Sequence, residues 1–148
     1  MRLVIAGAFL FLPLIAQESA AIQQAATKFV PDVTWHSNSV VSGDFTCTGR
    51  KQPAILGLNT SEIVIAVFVN GTQARPEVLR YSSKARNSVT AKLKIEDLDY
   101  NPKEVIGVDL PGFRRSKTCK GLNLADGETD SAHIYWNSKE RRFDDWTL

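Results

Sequence analysis

Apolar and polar positions divide this chain into three stretches of different period. Residues 3–16 are almost continuously apolar, residues 22–29 set Ile22, Ala25, Ala26 and Phe29 at helical spacing, and the remainder breaks into short runs of β-branched and aromatic residues. The helical spacing, stopped by Pro31, predicts one short N-terminal helix over 22–29. The later runs read as strands: VTWH, SVVSGDF, PAILGL, EIVIAVFV, EVLRYS, VTAKLKI, EVIGVDL, KGLNLA, SAHIYWN and RFDDWTL. Asn70-Gly71 and Asp126-Gly127 punctuate them as hairpin signals, because glycine takes the positive φ that a tight reversal requires. Strands every ~8 to 12 residues, with no helical patterns between them, predict a mainly β fold: an antiparallel sandwich, curled sheet or barrel with one short N-terminal helix. No segment repeats and no low-complexity linker interrupts the pattern, so residues 22–148 read as a single β-rich domain.

The leading apolar stretch reads as an address. Arg2 supplies a short positive segment, Leu3 to Ala16 an apolar one, and Ser19-Ala20-Ala21 the small residues a signal peptidase recognises. This predicts a signal peptide over 1–21 with cleavage after Ala21. The stretch, interrupted by Pro13, is shorter than the ~20 apolar residues that span a bilayer, and no later segment qualifies. The expected product is exported, to the periplasm or the exterior, without membrane insertion after cleavage.

Composition sharpens this only slightly. The chain of 148 residues has a formal net charge of +2, and losing Arg2 and Glu18 removes one charge of each sign. So balanced a chain offers no electrostatic footprint for nucleic acid. Basic residues do gather, at Arg114, Arg115, Lys117 and Lys120 and again at Lys139, Arg141 and Arg142, and each group reads as a solvated loop. The chain contains 2 cysteines, Cys47 and Cys119. An oxidising compartment favours their pairing, and neither has the nearby histidine or second thiol that a metal or catalytic site would want. A closed loop of about 70 residues is worth ~4 kcal/mol in the chain-entropy model.

Cys47 falls inside a stretch of unusual rhythm, GDFTCTGRKQPAILG, Gly43 to Gly57. An aspartate-rich calcium loop alternates oxygen ligands and turns sharply at a glycine, since the ion needs six to eight converging oxygens. Counting from Asp44, the alternating positions are Asp44, Thr46, Thr48 and Gln52, with Gly49 at the turn; only one is a carboxylate. A disulfide from Cys47 offers another way to hold the same turn closed.

VVSGDFTCTGRKQPAILGLN resembles a degenerate integrin-type FG-GAP or VCBS-type repeat, matching at Gly43, Asp44, Phe45, Gly49 and the AILG strand. Thr46, Thr48 and Gln52 stand where that pattern has Asn, Asp and Asp. DSAHIYWNSKERRFDDW, Asp130 to Trp146, resembles the closing hairpin of small exported proteins with one such loop. The resemblance implies an exported β-rich domain, often non-catalytic; it does not carry the calcium, because the ligands are missing.

Chemistry elsewhere is sparse. His36 and His133 are too few and too scattered for a zinc site. In SAHIYWN, Ala132, Ile134 and Trp136 alternate with His133 and Tyr135, so the second pair faces solvent or a groove if the first faces the core. Asp126, Glu128 and Asp130 put carboxylates at every second position, a weak metal candidate that a hairpin turn explains more simply. Asp130 with Asp144 or Asp145 is the only candidate carboxylate pair for hydrolysis, and nothing in the sequence sets their separation. Tyr135, Trp136, Phe143 and Trp146 concentrate aromatics beside Arg141 and Arg142, the residue types that interfaces favour. Trp136 and Trp146 are expected in the core, and Tyr135 and Phe143 exposed. Asn59 and Asn70 begin glycosylation sequons.

These features point to an exported, non-catalytic binding protein of the cell envelope, of inhibitor or immunity type, with another protein as partner and no cofactor. His133, Tyr135, Arg141, Arg142 and Phe143 are its candidate contact residues. The alternatives are a small secreted hydrolase using the carboxylates of the last hairpin, and a module stabilised by a divalent ion.

Overall fold

The computed structural model describes residues 14–127 and 130–148. Two antiparallel sheets carry the chain. The first contains β1 (Thr34–Trp35), β2 (Val41–Gly43), β3 (Gln52–Leu58), β4 (Glu62–Val67) and β5 (Glu77–Ser82), with β3 flanked by β4 on one side and by β1 and β2 on the other. The second is a meander of β6 (Lys92–Leu98), β7 (Ser116–Ala125), β8 (Ala132–Asn137) and β9 (Arg142–Trp146). Helix α1 (Leu14–Phe29) precedes the first sheet, and a short helix α2 (Pro102–Ile106) lies between β6 and β7. The expected sandwich is thus present, and the sheets do not close into a barrel.

The strand sequences explain the layers. PAILGL and EIVIAVF read as nearly continuous apolar runs because β3 and β4 are covered on both faces. Leu56, Ile63 and Ile65 pack on Leu122, Leu124 and Ile134 of the second sheet. Ile55, Val64 and Phe68 on the opposite face meet Ile22 and Ala26 of α1 and Val30 just after it. Each such fully buried side chain is worth ~1.5–3 kcal/mol against exposure. At the edge of the sheet β5 carries a weaker pattern: Leu79 and Tyr81 pack on the core between the sheets and Val78 on the opposite cluster, while Glu77, Arg80 and Ser82 are exposed.

Close fitting ties α1 to the first sheet. The indole nitrogen of Trp35 donates to Val30 O at 3.2 Å, satisfying a carbonyl just past the end of α1, where the chain no longer continues as helix to supply a partner. A Cβ at Gly57 would lie 2.5 Å from Val33 Cγ1 and 2.7 Å from Trp35 Cε3, so only glycine lets these side chains seat against β3. Where β1 gives way to β2, Ser39 Oγ accepts from Leu56 N at 2.9 Å, replacing the missing ladder bond.

Two expectations change. The N-terminal helix is already formed at Leu14, the first described residue, upstream of the expected 22, and the first buried position described in it is Ile22. EVIGVDL is not a strand. Asn101 accepts from Lys103 N, Pro102 occupies the first turn, and Gly107 ends the segment at φ 78, so the residues form α2 and the turn after it. Capping chemistry outweighed β-branched content.

Candidate functional site

The outer face of the second sheet carries the most elaborated side-chain cluster. Leu98, Cys119, Tyr135 and Trp146 are buried there, beneath the connection from Asp99 to Arg115. This connection contains α2 and returns over the sheet before β7 begins. It is built as a ledge. Tyr100 and Phe113 pack at 5.1 Å between ring centres, Phe113 meets Tyr135 edge-on at 5.4 Å, and Tyr100 meets Trp146 at 6.2 Å. Tyr135 OH donates to Pro111 O at 3.1 Å, while Ser138 N and Ser138 Oγ both donate to Gly112 O. Arg115 Nε pairs with Asp99 Oδ1 at 2.9 Å and closes the two ends of the ledge. Burial pushes the Tyr100 hydroxyl up to about 12 and raises that of Tyr135 as well.

The rigid base presents a different top. Val105 is 49% exposed and Val108 56%, side by side in the chain with Lys103, Glu104 and Asp109. The ledge also holds an open pocket of about 330 Å³, lined by Tyr100, Asn101, Pro102, Asp109, Leu110, Phe113 and Arg115. Of the basic residues gathered in sequence here, Arg115 is paired with Asp99 and Lys120 with Asp97, which disperses the expected cluster.

His133 adjoins this cluster. Its ring stacks on Trp146 at 4.0 Å, and Nδ1 lies 2.7 Å from Glu96 Oε1. Gly121 stands opposite Glu96 on β7 and contributes no side chain, leaving the lane by which Glu96 reaches His133. With the carboxylate accepting, the ring proton sits on Nδ1. A carboxylate on Nδ1 orients the ring as it does in a nucleophilic triad, where the nucleophile would bond to the other ring nitrogen, Nε2.

The sequence-nominated residues separate. Tyr135 and Phe143, expected exposed, are buried at 3% and 9%, so neither offers a contact surface. They lie on opposite faces: Phe143 joins the core between the sheets, and Tyr135 supports the ledge. Trp146 is buried as expected, but in the outer cluster. Arg142 is exposed and pairs with Asp144 at 3.0 Å, while Arg141 sits in the β8–β9 turn at φ 56. The ledge itself was missed; Asn101-Pro102 followed by Gly107 was its available signal.

The carboxylates do not converge. Asp144 and Asp145 are adjacent on β9 and therefore face opposite sides of the sheet. Asp144 is held by Asn137 and Arg142, whereas partial desolvation raises the Asp145 carboxyl, with Arg86 opposing the shift. Asp126 is fully buried and accepts from Asn87 N at 3.1 Å, holding the segment before β6. Asp130 is exposed, and Glu128 lies outside the described residues. Among the described residues no group of three or more His, Cys, Asp or Glu side chains is placed to hold a metal ion. No described helix is long and apolar enough to cross a membrane.

The calcium-like loop is filled by its own side chains. Asp44 accepts from Thr48 N at 2.9 Å and from Gly49 N at 2.8 Å. Gln52, 3% exposed, accepts from Phe45 N at 2.7 Å and donates to Thr46 Oγ1 at 2.7 Å and Thr48 Oγ1 at 3.4 Å. The amide hydrogens thus occupy the point on which oxygens would converge around an ion. Cys47, at φ 57, leaves the loop to form the disulfide with Cys119, their Cα atoms 4.9 Å apart. Comparison with protein-family models, with curated proteins and with solved structures finds no significant match to this chain.

Proposed function

We propose that this is an exported, non-catalytic binding protein of inhibitor or immunity type, and that the ledge from Asp99 to Arg115 is the element it presents to a partner protein. The observation that carries the reading is the contrast between the base and the top of that ledge. Its base is fixed by four packed rings and by hydrogen bonds to Pro111 and Gly112, while Val105 and Val108 remain exposed at its top. A pre-ordered loop with apolar tips binds without the entropy loss of ordering a flexible one. Large connections on a β scaffold are the usual seat of recognition.

Export is supported by the disulfide and by the packing of α1. Its buried side chains are Ile22 and Ala26, with Val30 packed just after its end, whereas Ile15 is 79% exposed, so removal of residues 1–21 leaves the packed face of the helix intact. The non-catalytic reading is favoured by the placement of Asp144 and Asp145 on opposite faces of β9, which keeps that pair from converging on one substrate bond.

The test is parallel capture from envelope and culture-fluid extracts with the oxidised protein and with a Val105→Asp, Val108→Asp variant of unchanged melting temperature. The expected result is one protein retained at near-equal stoichiometry by the native form and lost with the variant. Equal retention by both forms overturns the assignment to the ledge, and turnover of a glycan or peptide substrate overturns the non-catalytic reading.

A further inference from the structure

We propose that Asn70 is an N-glycosylation site and that Asn59, which begins the chain's other sequon, stays unmodified. Such a glycan is added in a secretory compartment, so the assignment depends on the export proposed above. Both triplets have the required spacing, Asn59-Thr60-Ser61 and Asn70-Gly71-Thr72. The fold places the two asparagines in opposite surroundings.

Asn59 is committed to the turn between β3 and β4. Its Oδ1 accepts from Ser61 N at 3.0 Å and from Glu62 N at 2.8 Å, and its Nδ2 donates to Glu62 Oε2 at 2.8 Å. Glu62 is held in turn by Arg80 at 2.6 Å. Here the asparagine side chain itself builds the reversal. A sugar on this half-buried amide would replace one of the two Nδ2 hydrogens and crowd the Glu62 carboxylate.

Asn70 builds nothing with its side chain. The connection between β4 and β5 is closed by backbone alone: Gly71 N donates to Phe68 O at 3.3 Å, Ala74 N donates to Gly71 O at 3.1 Å, and Gly71 takes φ 83. Asn70 is exposed, and neither its amide nor the Thr72 hydroxyl enters a hydrogen bond among the described residues. A Cβ at Gly71 would meet no atom within 4 Å, so the space beside Asn70 is open. The turn joins strands of the first sheet, whereas the ledge from Asp99 to Arg115 lies on the second.

The donor for this transfer is a lipid-linked oligosaccharide diphosphate. Asn70 Nδ2 forms a C–N bond to the anomeric carbon of the sugar and gives up a proton. The bond from that carbon to the diphosphate oxygen breaks, and its electron pair leaves with the lipid diphosphate. The Thr72 hydroxyl completes the triplet that the transferase reads.

The test is secretion of the full chain, with its own leader, by a eukaryotic cell line, followed by intact mass before and after treatment with a peptide N-glycosidase. The secreted protein is expected to carry one glycan that the glycosidase removes, and peptide mapping to recover Asn59 unmodified. Asn70→Gln is expected to abolish the glycan and to leave the melting temperature of the enzymatically deglycosylated protein unchanged, because the turn does not use this side chain. Thr72→Ala abolishes it with Asn70 still in place, and Thr72→Ser restores it. A secreted chain without a glycan, or one whose glycan survives Asn70→Gln or maps to Asn59, overturns the proposal and leaves export standing. A chain retained in the cytosol with its leader uncleaved overturns both.

Discussion

The Gln52 side-chain amide donates to Thr46 Oγ1 at 2.7 Å inside a loop whose rhythm is that of a calcium site. A carboxylate at position 52 would add acceptors to a centre already lined by threonine oxygens and would need a cation; the amide brings its own hydrogens. The protein's melting temperature is therefore expected to be unchanged by calcium or by chelator. Gln52→Ala leaves Phe45 N and two hydroxyls without this partner and is expected to cost ~2–4 kcal/mol by urea denaturation. Gln52→Glu, nearly isosteric, keeps the acceptor for Phe45 N and loses the donors, at ~1–3 kcal/mol. A calcium-dependent shift of several degrees in the native protein would overturn this account.

The same loop is held covalently. Cys47 and Cys119 are 72 residues apart in sequence, and a crosslink of that span is worth ~4 kcal/mol through the unfolded chain. Replacing both cysteines by alanine is expected to lower unfolding free energy by about that amount, with the native sheets retained in circular dichroism. A loss below ~1 kcal/mol would show that the amide network and packing of Phe45 close the loop unaided.

Strands were legible where pattern and environment coincided. EVLRYS is β5 residue for residue, and the doubly apolar runs of β3 and β4 follow from burial on both faces. The parity of β8 was legible too: His133 and Tyr135 do share a face. What covers that face was not, because the ledge comes from a segment whose Val105, Ile106 and Val108 mimic a strand. Composition cannot distinguish an aromatic that caps a core from one offered to a partner. Only the return of Phe113 over Tyr135 decides it, a contact between residues distant in sequence.

The ledge depends on one glycine. Gly112 has φ 66, and a Cβ there would lie 1.9 Å from Asn137 Oδ1, the atom that accepts from Lys139 N and Glu140 N. Gly112→Ala is therefore expected to cost ~2–4 kcal/mol and to loosen the β8–β9 turn together with the ledge. Gly49→Ala, at φ 78 with open space around it, carries only the backbone strain and is expected to cost ~1 kcal/mol. Similar losses at both positions in thermal unfolding would mean that the Asn137 contact does not fix the ledge.

Alkaline pH offers a readout of the same packing. The chain contains 3 tyrosines, Tyr81, Tyr100 and Tyr135, and burial raises the hydroxyl of each, Tyr100 to about 12. In the unfolded chain each ionises near ~10, so the folded state holds its protons more tightly. The stability they contribute is complete below pH ~10 and is lost as pH rises from there through the folded values. Tyrosinate absorbance is therefore expected to stay low past pH ~10 and then to rise together with loss of the β signal, because ionisation and unfolding are linked. Phe113→Ala removes the ring between Tyr100 and Tyr135 and should bring part of the absorbance forward to pH ~10 while the fold persists. Absorbance that rises fully at that pH in the native protein, with its β signal intact, would show the tyrosines to be open to solvent and the ledge unpacked.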